Sequence, residues 1–133
     1  MSLYQMSLFQ SGNFTLHSGN RSIFKIDCDF IPDSGLVALA PLGHKIIGPF
    51  SSVIGVPATT PGGIDNGARF AKAMLPYVSG SGPILIVDDV LSTGRSMNEM
   101  REKLGVNTVG LVIFAREKPP EWIKAIFQQA VDI

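Results

Sequence analysis

Pro83-Ile84-Leu85-Ile86-Val87-Asp88-Asp89-Val90-Leu91-Ser92-Thr93-Gly94-Arg95-Ser96-Met97 is the stretch that decides the fold. Its uncharged aliphatic run predicts a strand buried on both faces. Two adjacent carboxylates follow at the end of that run. A short turn rich in hydroxyls and glycine comes next. A helix then carries Met97, Met100 and Leu104 on one side. Such a turn aims several backbone N–H groups at one spot, at the positive end of the helix, where a phosphate fits. Asp88 and Asp89 beside it can hold ribose hydroxyls, or water on a divalent metal. The combination suggests a sugar phosphate that carries a second, metal-bound anion.

Two rival roles compete for this stretch. The aspartates can simply cap the following helix. One carboxylate suffices for that, and two side by side repel unless a cation or diol lies close. The same opening is also found in response-regulator receiver domains, which need a phosphoacceptor aspartate at the end of a later strand. No aspartate occurs between Asp89 and Asp132.

Working outward, residues 51–56 predict a second buried strand. Pro57, Ala58, Thr59, Thr60, Pro61, Gly62 and Gly63 form a loop. Asp65 or Asn66 starts a helix with Phe70, Ala71, Met74, Leu75 and Val78 apolar, which breaks at residues 79–83. After the signature helix, Gly105 suits a C-cap. Residues 108–114 predict a third buried strand. Pro119-Pro120 precede a segment, 121–130, expected as an amphipathic helix with Trp122, Ile123 and Phe127 inward. Upstream, 14–17 and 23–27 predict a hairpin around Ser18-Gly19-Asn20. Residues 1–12 are expected as a short helix or loose arm. A helix is expected over 35–40, interrupted by Pro41, with further helical turns at 44–47.

Strands alternating with helices predict an α/β fold with a parallel sheet, whose ligands bind at the carboxyl ends of the strands. Both loops land on that edge. The double glycine of the first loop permits close backbone approach to an anion. A plain turn is its other reading.

The signature resembles the PRPP-binding motif of type I phosphoribosyltransferases (PRPP is 5-phosphoribosyl 1-diphosphate). The resemblance implies that Asp88 and Asp89 face the ribose hydroxyls and a Mg²⁺ shell. It implies that Leu91, Ser92, Thr93, Gly94, Arg95 and Ser96 wrap the 5-phosphate. Pro57, Ala58, Thr59, Thr60, Gly62 and Gly63 would then serve the pyrophosphate. The segment from Phe14 to Asp27 resembles the hood of orotate phosphoribosyltransferases, which extends the likeness from about Asn13 to Phe127. The implied fold is a type I phosphoribosyltransferase fold with a small N-terminal hood hairpin. The implied reaction transfers phosphoribose to a nucleobase or similar nitrogen nucleophile. A homodimer is expected, because the small hood leaves the apolar Ile46, Ile47 and Phe50 region thinly covered and related enzymes pair near this site.

The chain departs from that pattern at three places. His17 replaces a lysine, and Lys25-Ile26 replace aromatic residues that help hold the base. The mobile basic loop of the orotate enzymes is missing between Gly63 and Asp88, where Arg69 and Lys72 are the basic residues. Substitute cations could come from Arg95, Arg116, Lys118, Arg21 or Lys25, and His17, Lys25 and Arg116 are candidate base or cation contacts. A surface hairpin and a solvated strand-end arginine are the plain alternatives. The missing loop also leaves open a PRPP- or nucleotide-binding regulator without turnover.

With 133 residues, one domain is expected, an arm and hood over 1–30 and a core over 31–133. Hydrophobic content of 45% and zero formal net charge argue against disorder and against a basic nucleic-acid surface. Cys28 is the single cysteine, so a reducing cytoplasm is the expected location. It has no Cys/His cluster for zinc, and His17 and His44 are not spaced as a metal pair. No apolar run reaches membrane-spanning length, and no signal peptide is visible.

Overall fold

The computed structural model describes residues 9–15, 21–26, 28, 31–58, 62–105 and 107–129. Its centre is a four-stranded parallel sheet of order β3-β4-β5-β6, formed by Ser52–Gly55, Ile84–Leu91, Thr108–Ala115 and Ile123–Gln128. Both faces of the central strands are covered. Leu85, Val87, Leu111 and Ile113 pack with Leu36, Ala40, Phe70 and Met74 on one side. Ile86 and Val112 pack with Met97 and Ile123 on the other. This is why the signature strand reads as a continuous apolar run rather than an alternating one.

Helices α1 (Asp33–Ile47), α2 (Asn66–Met74) and α3 (Arg95–Leu104) supply those layers. A 3-10 turn, Leu75–Tyr77, continues α2. Gly105 caps α3 with φ 93°, its N–H donating to the Arg101 carbonyl, as the sequence predicts.

Several expectations are corrected. α1 is not interrupted at Pro41 but runs through it. Pro41 removes one N–H, and both Pro41 and Val37, whose carbonyl loses its partner, are exposed, so water can take that acceptor. The opposite face stays anchored by Leu36, Ala40 and Gly43. The final segment is strand, not helix. β6 pairs with β5 from Gly110↔Ile123 to Ala115↔Gln128, which satisfies the backbone of a short run rich in β-branched and aromatic residues. Ile123 is buried as expected, but Phe127 is 45% exposed and stacks on Phe114 with ring centroids 5.3 Å apart. The N-terminal strands begin earlier than expected. β1 (Phe9–Thr15) pairs antiparallel with β2 (Arg21–Ile26), so residues 9–12 are strand rather than arm. The predicted turn at residues 18–20 lies outside the described residues.

Phe50 is wholly buried, against the expectation that it sits in a thinly covered region. Ile46 is 43% exposed.

Candidate functional site

The site begins with the close approach of α2 to β3. A Cβ on Gly67 would lie 2.3 Å from the Val56 carbonyl oxygen, and one on Gly55 would lie 2.3 Å from Gly67 backbone. Only glycine at both places lets the first turn of α2 sit against the end of β3. Asp65 is the N-cap of that helix, its Oδ1 accepting from Ala68 N at 3.0 Å. The loop that leads in has Gly62 at φ 76°, with no atom of the described residues within 4 Å of where a Cβ would stand. Pro57, Ala58, Gly62 and Gly63 are exposed, and Thr59 and Thr60 lie outside the described residues.

Asp88 and Asp89 are part of β4 rather than beyond its end, since Asp88 pairs in register with Val112. Both are half-buried. Neither caps α3, whose N-cap is Gly94 with no side-chain bond. Instead Asp88 Oδ1 accepts from Asp89 N at 2.9 Å, and Asp89 Oδ1 accepts from Val90 N at 2.7 Å. Burial, then the neighbouring charge of Asp89, pushes the Asp88 carboxyl up from its usual 3.8 to about 8, with Asp65 adding a smaller push. A cation is the natural relief for this concentration of carboxylate. Among the described residues no three Asp, Glu, His or Cys side chains form a metal cage. Two oxygen donors at a substrate site do suit Mg²⁺, which keeps much of its water and takes further oxygens from phosphates.

Past Leu91 the chain turns through Ser92, Thr93 and Gly94 into α3. Gly94 adopts φ 81° and ψ 1°, a left-handed conformation that swings the turn into the helix. The first helical bond is Asn98 N to the Gly94 carbonyl at 2.9 Å. The N–H groups of Arg95, Ser96 and Met97 therefore precede the helical ladder. Arg95 N donates to Thr93 Oγ1 at a long 3.3 Å. The residues from Leu91 to Met97, with Asp88 and Val90, line a cavity of about 50 Å³. That space exceeds the room one water needs, and it lies at the positive end of α3, where anions are favoured.

The strands that lead into the two loops are adjacent. β3 and β4 are neighbours, and Val56 N donates to the Val87 carbonyl at 2.9 Å. A side-chain bond crosses the same gap, with Asn66 Nδ2 donating to Asp89 Oδ2 at 3.1 Å. Asn66 is only 8% exposed and in turn accepts from Arg69 Nη1 at 2.8 Å. Arg69 is itself engaged with Asp33 and the Ile31 carbonyl, so its guanidinium already has partners. Sequence reasoning missed Asn66 as a site residue. The available signal was that Asp65 and Asn66 are both good caps and a helix needs only one.

Of the other candidates, Arg95 is exposed and pairs with Glu99 at 3.3 Å while lining the cavity. Arg116 follows β5 and is half-buried; its N–H donates to the Leu91 carbonyl at 3.1 Å, which puts it on the same sheet edge. Lys25 lies in β2, and His17 lies outside the described residues. Lys118 is exposed.

No family model matches this chain, and no curated protein matches it either. Solved structures do. A UMP synthase from Leishmania donovani superposes with TM-score 0.70 and 19% identity, over 95% of this chain and 34% of that one. The chain thus spans about a third of that protein's length. An orotate phosphoribosyltransferase from Aeropyrum pernix gives TM-score 0.68 and 22% identity over 93% of this chain and 90% of its own. The Francisella tularensis orotate phosphoribosyltransferase gives 0.60 and 17% over 95% and 82%. The fold is the one these proteins share, a type I phosphoribosyltransferase fold with a parallel sheet and a two-stranded N-terminal sheet. Among the described residues no helix is long and apolar enough to cross a membrane.

Proposed function

We propose that the protein binds PRPP with Mg²⁺ and transfers phosphoribose to a nitrogen nucleophile of nucleobase type, releasing pyrophosphate. The observation that carries this is a cavity lined by the hydroxyl turn, the first turn of α3 and Asp88, with Asp89 the next residue along β4. The neighbours named above as orotate phosphoribosyltransferases support it. In this reading Leu91, Ser92, Thr93, Gly94, Arg95 and Ser96 hold the 5-phosphate. Asp88 and Asp89 accept from the ribose hydroxyls and hold magnesium through water. Pro57, Ala58, Thr59, Thr60, Gly62 and Gly63 face the pyrophosphate.

The reaction breaks the bond between ribose C1 and the pyrophosphate oxygen, which leaves with the electron pair. A C1–N bond forms, and the nucleophile gives up its proton. Magnesium, when bound, supplies neutralisation of the leaving anion. The chain's own residues fix the ribose by its phosphate and its hydroxyls, so the nucleophile meets C1 in one geometry. The carboxylates below the ring favour the positive charge that develops there. A homodimer and a cytoplasmic setting belong to the same proposal.

One observation favours a second reading, a PRPP-binding regulator without turnover. Between Gly63 and Asp88 the chain has α2, a 3-10 turn and the 79–83 link, and Arg69 there is engaged. Calorimetry of PRPP with and without Mg²⁺, together with pyrophosphate release across a panel of bases, separates the cases. Binding with release means a transferase, binding alone a regulator, and no binding overturns both.

A further inference from the structure

Asn66 is a buried polar residue in the first turn of α2 whose place there is not explained by capping, because Asp65 already caps the helix. Its amide lies between groups of opposite charge. Arg69 Nη1 donates to Asn66 Oδ1 at 2.8 Å, and Asn66 Nδ2 donates to Asp89 Oδ2 at 3.1 Å. A guanidinium has donors only, so the amide oxygen faces Arg69 and the NH₂ faces the carboxylate. Arg69 is held in turn, with Nε donating to Asp33 Oδ1 at 3.1 Å and Nη2 to the Ile31 carbonyl. The line Asp33–Arg69–Asn66–Asp89 runs from the start of α1, across α2, to β4.

We propose that Asn66 and Arg69 are positioning residues which, through the Asn66 amide, fix the Asp89 carboxylate to receive the magnesium–PRPP complex; this rests on the function proposed above. Both Asp89 oxygens are anchored, one by Val90 N and one by Asn66. Rotation of the carboxylate is stopped, and the remaining lone pairs keep one direction. The intervening group is neutral, which matters. A guanidinium bonded directly to Asp89 would compete with a metal for its charge, whereas an amide hands on orientation and leaves the carboxylate free to serve a cation. The platform is stiff, because Gly67, next to Asn66, lies against Val56 too closely for α2 to slide inward.

Calorimetry with Mg²⁺ and PRPP on the full chain tests this, using Asn66→Ala, Asn66→Asp, Arg69→Lys and the Asn66→Ala/Arg69→Lys pair. Asn66→Ala is expected to weaken magnesium-dependent PRPP binding about 10–100-fold, as loss of a residue orienting a metal's ligand does. Metal-free PRPP binding should change far less. Asn66→Asp keeps the shape and the Arg69 contact but removes the donor, so it should lose as much. Arg69→Lys should lose affinity alone and add little to Asn66→Ala, because it acts through Asn66. Wild-type magnesium–PRPP affinity in the Asn66 variants, equal losses with and without metal, or additive losses would each overturn the proposal. An NMR measurement on the ligand-free protein stands apart from PRPP. The Asn66 side-chain amide signals should move on Asp89→Ala and on Arg69→Lys, and unmoved signals overturn the relay. Failure of the wild type to bind PRPP would sink the parent function while the relay is still decided by those signals.

Discussion

Gly67 meets the Val56 carbonyl so closely that a Cβ there would sit 2.3 Å from the oxygen. That contact sets where α2 begins, and so where Asn66 reaches Asp89. Gly67→Ala is therefore expected to push the helix off β3. Overpacking of this kind typically costs about 1–3 kcal/mol, and a rigid backbone partner favours the upper end. A denaturant melt should show that loss, and the Asn66 amide signals should shift with it. A variant as stable as wild type would mean that the helix adjusts freely.

Asp88→Asn with Asp89→Asn should abolish magnesium-dependent PRPP binding while the fold survives. The pair sits near the carboxyl end of β4, outside both apolar clusters, so neutral isosteres should be tolerated. Unchanged PRPP affinity in the double variant would remove these residues from the site.

The Asp88 carboxyl also predicts a pH dependence. Its folded value is raised to about 8 from an unfolded value of 3.8, so between those pH values the folded state holds a proton that the unfolded state has lost. Stability should fall as pH rises through that window, where the native state binds more protons. Asp88→Asn should flatten the slope. Mg²⁺ should raise the melting temperature more at the alkaline end, where the carboxylate is ionised and can hold it. Equal slopes for wild type and Asp88→Asn would contradict this.

How much of this was legible in the sequence depended on distance along the chain. The strand Ile84–Leu91, the hydroxyl turn and α3 are contiguous, and each local preference agrees with the next. Gly105 declared its cap in the same way, while for α2 the sequence left Asp65 and Asn66 both open and the structure takes Asp65. The segment Ile123–Gln128 reads as a helix in the sequence because a short run with Trp122, Ile123 and Phe127 fits a helix face as well as a strand. Pairing with Thr108–Ala115 decided it, and that partner is not visible locally. Pro41 was overruled by the burial of Leu36, Ala40 and Gly43 on the other side of α1. The Asn66–Asp89 bond joins positions 23 residues apart, so nothing adjacent to either one announces it.

Inorganic phosphate should bind at the turn of residues 92–96, shifting the backbone amide signals of Ser96 and Met97 in a ¹⁵N titration. Gly94 holds φ 81°, so Gly94→Ala should cost about 1–2 kcal/mol in the left-handed region and weaken phosphate binding with it. Saturable shifts confined to some other part of the chain would place the anion site elsewhere.

Leu42 and Ile46 stand one helical turn apart on α1 and are 49% and 43% exposed. A homodimer that covers them is the expected state. In a two-fold interface each substitution is felt by both subunits. Leu42→Asp with Ile46→Asp should therefore shift sedimentation toward monomer. A wild-type monomer at high protein concentration would reject the dimer.

Turnover with orotate should be weak or absent. The resemblance to the orotate enzymes implies a mobile basic loop over pyrophosphate, and the corresponding interval here holds α2 and a short link. Arg69, which the sequence offered as a basic residue in that interval, is bonded to Asp33, Asn66 and Ile31. Lys72 is exposed on α2. His17 and Lys25-Ile26 also break the resemblance at positions that it implies would hold the base. Losing one preorganised charge contact at a developing anion typically costs about 3–4 kcal/mol, or roughly 10²–10³ in rate. What remains would be a detectable but poor enzyme, unless Arg95, Arg116 or a second subunit supplies the cation. A steady-state assay with orotate, PRPP and Mg²⁺ measures this directly. Turnover at about 10 per second, ordinary for an enzyme, would mean that the missing loop is dispensable and that this hood accepts orotate after all.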